Sequence, residues 1–417
     1  MRNRFATLSF LLLILFACCS IRASDLAPDL VLTGAKIYPS PTEPAIENGT
    51  ILLHAGRIVA VGPGSSIKIP QGATVIDCKG LVVTAGFWNS HVHILTPGLL
   101  HAEKTPSAQI SSQLEAMLTR WGFTTVFDIA SILENTKLIR RRIETGEVKG
   151  PRILTTGEPF WCKGGTPIYV RGFLETNHIY IPEVESPAQG IERVRQEIHD
   201  GADGIKIWTG SPVGNGIVIT PLDLAKAIVA EAHRAGKPVF AHPSSREGVE
   251  LAIQSGVDIL AHTAPDGGPW SPSLIETLKA KNMALIPTLT LWHVESKSTP
   301  PAQFEKGMNE VVLPQLRAYS EAGGQILFGT DVGYIEQFDT SEEFTWMSRA
   351  GMSFQQILAS LTTNPAERLG FAAHSGRIAK GMDADLVILS GDPATDVSAF
   401  SKVRYTIRQG KVLYSEK

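Results

Sequence analysis

The stretch Pro238-Val239-Phe240-Ala241-His242, followed by Arg246–Ser255, Gly256 and Asp258-Ile259-Leu260-Ala261-His262, decides the fold. A short apolar run ends at a histidine. An amphipathic segment of helical length then stops at a glycine placed as a C-cap, and a second apolar run ends at a second histidine. Runs this short and this poor in charge read as strands covered on both faces.

Working outward, the same unit recurs. Eight apolar runs stand at residues 87–90, 124–129, 152–156, 204–208, 238–241, 258–261, 284–288 and 325–329. Amphipathic segments separate most of them, for example 190–200, 222–235 and 273–280, and Gly201 and Gly236 close two of these segments as Gly256 does. Strand and helix alternating through eight units predict an α/β fold, a (β/α)8 TIM barrel with right-handed crossovers, over residues 86–371. The flanks differ. Residues 25–85 and 372–417 carry short strand-like runs such as Thr50-Ile51-Leu52-Leu53 and Ala384-Asp385-Leu386-Val387-Ile388-Leu389, separated by turn signals and without helical period. They predict one small β-sandwich domain assembled from both ends of the chain.

The barrel reading gives the polar residues at the run ends their meaning, because barrel enzymes work at the C-terminal ends of their strands. His91 and His93 follow the first run, and side chains at i and i+2 of a strand point the same way. Taken alone, such a pair is equally well a pair of hydrogen-bonded histidines at the mouth. His242 and His262, at matching places on neighbouring strands, shift the reading to metal. Asp331 leaves the eighth run. It is either a turn residue near Gly333 or a ligand that also shuttles protons as general base and acid. Lys206 lies inside its run between apolar neighbours. It is either paired with a carboxylate or a neutral amine able to capture carbon dioxide as a carbamate, a carboxylate analogue that could bridge two cations.

Bulk properties agree with an enzyme. The chain has 417 residues, 43% hydrophobic and 19% charged, and a net charge of −3. With no basic tract, nucleic acid is excluded as an expected partner and a small-molecule substrate is favoured. Residues 1–24 read as a signal peptide: Arg2 and Arg4 precede the apolar run from Phe10 to Cys19, too short for the about 20 residues of a spanning helix. Export to the bacterial periplasm or beyond is expected, with no transmembrane span after cleavage. Leu15-Phe16-Ala17-Cys18 resembles a lipoprotein box, which would put a lipid anchor at Cys18. Beyond the leader only Cys78 and Cys162 remain, too few for a disulfide framework.

The stretches Gly86-Phe87-Trp88-Asn89-Ser90-His91-Val92-His93, Gly201-Ala202-Asp203-Gly204-Ile205-Lys206, Ala241-His242, His262 with the Glu250–Asp258 segment before it, and Phe328-Gly329-Thr330-Asp331 together resemble the amidohydrolase superfamily, in its imidazolonepropionase-like and Xaa-Pro dipeptidase-like branch. Thr362-Thr363-Asn364-Pro365-Ala366-Glu367-Arg368-Leu369-Gly370 and Gly381-Met382-Asp383-Ala384-Asp385-Leu386-Val387 resemble its closing helix and returning sheet. The resemblance implies a binuclear centre: His91, His93 and Asp331 on one ion, His242 and His262 on the second, and carboxylated Lys206 between them. It further implies that a metal-bridging hydroxide hydrolyses a C–N bond, with Asp331 and Lys206 as the catalytic residues. Two divalent ions are expected, zinc first, with iron, manganese or cobalt also suited to the ligands.

The motifs depart from the family pattern at Ala85 and Asn89, neither of them a ligand, at Thr166, where dipeptidase-like relatives often show His, and at Ser245, where relatives that deaminate often carry Glu. An amide or peptide bond in a dipeptide or an N-acyl amino acid is therefore the leading substrate. A cyclic amide, lactone or phosphotriester is the alternative, and a catalytically silent binding protein the remaining one. Lys163 and Arg171 are candidates to meet a free carboxylate, and His178 and His293 to touch substrate.

Overall fold

The computed structural model describes residues 30–214 and 216–416. The leader and the Cys18 box lie outside the described residues. Among those described, no helix is long and apolar enough to cross a membrane.

Eight parallel strands carry the central body: Phe87–Val92, Phe123–Asp128 and Arg152–Thr155 in one sheet, then Ile205–Trp208, Val239–His242, Ile259–Ala261, Ala284–Ile286 and Gln325–Ile326 in another. The first seven lie within a residue or two of an apolar run in the sequence, and the eighth ends three residues before its run does. Hydrogen bonds link the two sheets along both seams. Ser90 N donates to Phe328 O at 2.7 Å and His93 N to Val332 O at 2.8 Å, joining the first strand to the segment after the last. On the other side Asp203 N donates to Thr155 O at 2.6 Å, while Phe160 donates to Lys206 O and accepts from Trp208 N. The last strand is only two residues long because the chain leaves its neighbour early to make the first of these seams.

Strand alternation sorts the side chains into two cores. Trp88, Phe127, Leu154, Phe240, Ile259, Ala261, Ile286 and Leu327 fill the space enclosed by the strands. Ile153, Ile205, Ile207, Val239, Ala241, Leu260, Leu285 and Ile326 point outward under the helices. In the ladder Lys206 pairs with Phe240 and Trp208 with His242, so all four side chains belong to the inner set. Helices Leu222–Arg234 and Arg246–Ser255 cross back between the strands, and Gly256 ends the second in the left-handed conformation at φ +85°.

Both chain ends enter one further eight-stranded sheet. Its order runs Lys411–Ser415, Val403–Arg408, Leu386–Leu389, Val82–Ala85, Leu30–Ile37, Ile46–His54, Arg57–Pro63, with Val75–Asp77 beside Leu30–Ile37. Alternation again divides the faces. Val83, Ala85, Leu386 and Ile388 cover the sheet's own core with Leu30, Leu32, Ile51 and Leu53. Val82, Val387 and Leu389 turn the other way and join the outer core of the central body. Thr406 Oγ1, donating to Thr119 O at 2.6 Å, and an Arg408–Glu144 ion pair at 2.7 Å fix the two units together.

Candidate metal centre

All six residues marked in the sequence line one cavity of about 1130 Å³ at the C-terminal ends of the strands. The tightest group is His91, His93 and Asp331, whose ligand atoms lie within 4.8 Å of one another. Asp331 Oδ1 stands 3.2 Å from His91 Nε2 and 2.8 Å from His93 Nε2, and Oδ2 stands 3.8 Å from His262 Nε2. The His262 ring is 4.6 Å from that of His91 and 4.7 Å from that of His242, centroid to centroid. His242 in turn stacks on Trp208. Lys206, 1% exposed, places its ammonium nitrogen 5.0 Å from the Trp208 ring.

Hydrogen bonds on the far side of each ring decide which nitrogen faces the cavity. His93 Nδ1 lies 2.9 Å from Ala130 O, and a carbonyl can only accept, so Nδ1 carries the proton. Thr288 Oγ1 donates to Pro287 O at 2.8 Å, which spends its hydrogen. It therefore accepts from His262 Nδ1, 2.6 Å away. Both rings turn Nε2 inward. In a neutral ring the inward Nε2 carries a lone pair, and a divalent cation between it and the carboxylate oxygens would satisfy both.

The electrostatics favour that form. Burial holds His91 down at about 3, and burial together with the neighbouring positive groups holds His242 and His262 well below the ordinary histidine value. Burial pushes Asp331 up, but His91 and His93 outweigh it and hold the carboxyl well below its usual range. Lys206 is lowered to about 7 by burial, against the attraction of Asp331. Asp331 Oδ1 and His91 Nδ1 are buried without a well-formed hydrogen bond. Neutral imidazoles, an ionised carboxylate and an unsatisfied oxygen fit a divalent metal ion.

The backbone is bent to make this possible. Asp331 (φ +63°) and His262 (φ +86°) are left-handed, as are Ala130 (φ +116°) and Thr288 (φ +46°), which orient His93 and His262. Such conformations cost of order 1–3 kcal/mol each and persist where the surroundings enforce them. Gly333, at φ +104°, is required: a Cβ there would lie 1.8 Å from His93 O. Asn89 accepts from His91 N at 3.2 Å and donates to Thr330 Oγ1 at 2.7 Å, clamping the first strand to the Asp331 turn. Asp128 is the centre of a buried network with Ser131, Thr136 Oγ1 (2.9 Å), Thr155 Oγ1 (3.0 Å) and Ile94 N (3.2 Å), which fixes the loop beyond His93.

Other sequence candidates fall elsewhere. His178 and His293 do not line the cavity; His293 is engaged by Glu342 at 2.6 Å and stacks on Phe304. Ser245 caps the helix Arg246–Ser255 by accepting from Gly248 N. Thr166 donates to Glu183 at 2.6 Å. The cavity wall was not visible in the sequence. Tyr169, whose hydroxyl accepts from Trp208 Nε1 at 3.0 Å, and Tyr334, which donates to Glu295 at 2.7 Å, face each other with ring centroids 5.3 Å apart. Tyr169 lies in the first turn of the helix Ile168–Thr176 and Tyr334 in the turn after Asp331, and neither stretch carries a motif.

Comparison with known proteins supplies an independent view. The amidohydrolase family model matches residues 82–413. Ochratoxinase of Aspergillus niger is 23% identical over 425 residues, covering 92% of this chain and 85% of that protein. Imidazolonepropionase of Thermoplasma acidophilum is 25% identical over 401 residues, covering 88% and 90%. Among solved structures, a Xaa-Pro dipeptidase with bound methionine superposes with a TM-score of 0.77 at 23% identity, covering 93% of this chain and all of that one, a likeness of fold.

Proposed function

Because the chain belongs to the amidohydrolase family, we propose that it hydrolyses the carbon–nitrogen bond of a small amide at a divalent-metal centre. In this reading the eight strands are one closed (β/α)8 barrel over residues 86–371, and the two ends, 25–85 and 372–417, form a small β-sandwich domain. The observation that carries the reading is the convergence of two inward Nε2 atoms, on His93 and His262, on the Asp331 carboxylate.

His91, His93 and Asp331 would hold one ion and His242 and His262 a second, zinc being the first choice for this donor set. When bound, such ions acidify a water and polarise a carbonyl oxygen. Lys206, lowered to about 7 by burial, would add carbon dioxide at Nζ as the neutral amine, the N–C bond forming as one amine proton leaves to solvent, and the carbamate would offer two further oxygens to the ions. Asp331, ionised at neutral pH, would accept the proton of the attacking water and deliver it to the departing nitrogen. The backbone carbonyl of Ala130 and the hydroxyl of Thr288 hold the imidazoles in the tautomer that this requires.

Dipeptides and N-acyl amino acids are the substrates the sequence suggests, and each brings a free carboxylate that must find a partner in the cavity. We also propose that the leader exports the protein, either as a cleaved periplasmic enzyme or lipidated at Cys18.

Metal analysis of the purified protein should give close to two ions per chain. Lys206→Ala should lower both occupancy and hydrolysis in a screen of dipeptides, N-acyl amino acids and uncharged amides with added zinc or manganese. One ion per chain with full activity in that variant would overturn the binuclear scheme.

A further inference from the structure

The cavity has a marked imbalance of charge. Among its described lining residues there is no arginine, and Lys206 is the one lysine, buried at the base among the candidate ligands. The other charged residues on the wall are acids, Asp266, Glu295 and Glu336. The sequence candidates for a carboxylate partner do not reach it. Lys163 is exposed and faces Glu185 at 3.3 Å, while Arg171 donates to Thr166 O at 3.3 and 3.2 Å, and neither lines the cavity. The nearby Arg193 is committed to the Pro182 and Pro159 carbonyls and lies over the Phe160 ring.

What the wall does offer is apolar area. Trp161, Trp208, Trp292, Tyr169, Phe173 and Phe304 surround the space above the ligands. A carboxylate entering there would lose its water, find no cation on the wall, and meet the field of three acids. Cations held at the base would face the bond to be cut, whereas the free carboxylate of a dipeptide would lie further along the substrate, toward the wall.

On the reading of this site as a metal-dependent amide hydrolase, we infer that the cavity takes uncharged amides with an aromatic or alkyl body and turns away substrates bearing a free carboxylate. Dipeptides and N-acyl amino acids are then poor substrates, for a reason separate from the chemistry at the base.

The test uses a matched pair, N-benzoylpyrrolidine and N-benzoyl-L-proline, which differ only in the carboxylate. Binding to the metal-loaded enzyme is followed by quenching of fluorescence from the wall tryptophans, in rapid mixing before turnover. The neutral member should bind at least tenfold more tightly, and any metal-dependent cleavage should favour it by a similar factor. Equal or tighter binding of the acid overturns the inference while leaving the hydrolase reading intact. If the binding order holds but the metal-loaded enzyme cleaves neither these nor any amide in the screen, the hydrolase reading fails and the inference about the cavity stands. A second arm places a cation at the exposed rim. Glu336→Lys should tighten binding of N-benzoyl-L-proline at least threefold without tightening that of N-benzoylpyrrolidine, and an unchanged ratio counts against the charge argument.

Discussion

Thr288 shows how a residue that touches no substrate governs the centre. Its hydroxyl hydrogen goes to Pro287 O, so its oxygen is free to accept from His262 Nδ1 and turn Nε2 toward Asp331. Thr288→Val keeps the volume and removes the acceptor. Metal affinity should fall about 10–100-fold, the range for loss of such a partner, while the thermal midpoint of the apo form moves little. Titration with zinc under chelator competition measures the first quantity and calorimetry the second. Gly333→Ala should behave differently. Its Cβ would meet His93 O at 1.8 Å in a left-handed backbone, so apo stability should drop by about 2 kcal/mol or more, together with metal binding. Denaturant unfolding of the apo protein separates the two variants. The six candidate ligands were legible because strand periodicity fixes which side chains converge. Ala130, Thr288 and Asp128 were not, because they act through backbone carbonyls and through contacts between residues far apart in the chain, which leave no local pattern.

At the scale of elements, helix caps and buried carboxyls set local stability. Ser245 accepts from Gly248 N at the start of Arg246–Ser255, the helix that joins the His242 strand to the His262 strand. Ser245→Ala should cost about 1 kcal/mol in urea unfolding, with the deamination-type chemistry argued against by this residue still absent. Glu343, in the helix Ser341–Arg349, accepts from Leu289 N, Thr290 N and Thr290 Oγ1, tying that helix to the turn after the seventh strand. Burial raises its carboxyl from 4.5 to about 7 despite these donors. Its protonated form is thus favoured by folding, and the stability it contributes is complete below pH 4.5 and lost as pH rises through 7. By linkage this is a loss on the order of 3 kcal/mol across that window. Relative to wild type, Glu343→Gln should flatten the fall in unfolding free energy between pH 4.5 and 7, and an unchanged slope would reject this assignment. Strand positions were readable to within a residue or two, since runs covered on both faces are apolar throughout. The early end of Gln325–Ile326 was not readable, because it follows from pairing with a strand more than two hundred positions earlier.

For the whole molecule, metal binding would be linked to folding, because the candidate ligands come from strands distributed through the entire central body. Ions that bind only the native arrangement stabilise it by mass action, about 4 kcal/mol at a thousandfold excess over the dissociation constant. Removing metal with a chelator should therefore lower the thermal midpoint by several degrees, and adding zinc should restore it. The sheet made from both ends has a consequence of another kind. Val82–Ala85 stands between Leu30–Ile37 and Leu386–Leu389, and its outward valine closes the outer core of the body together with Val387 and Leu389. During synthesis the first of these strands leaves the ribosome some three hundred residues before its neighbour exists. Until the last segment arrives, a strand edge rich in valine waits without its partner. The order in which the chain is made, rather than the order in which its strands lie, sets how long that edge stays uncovered.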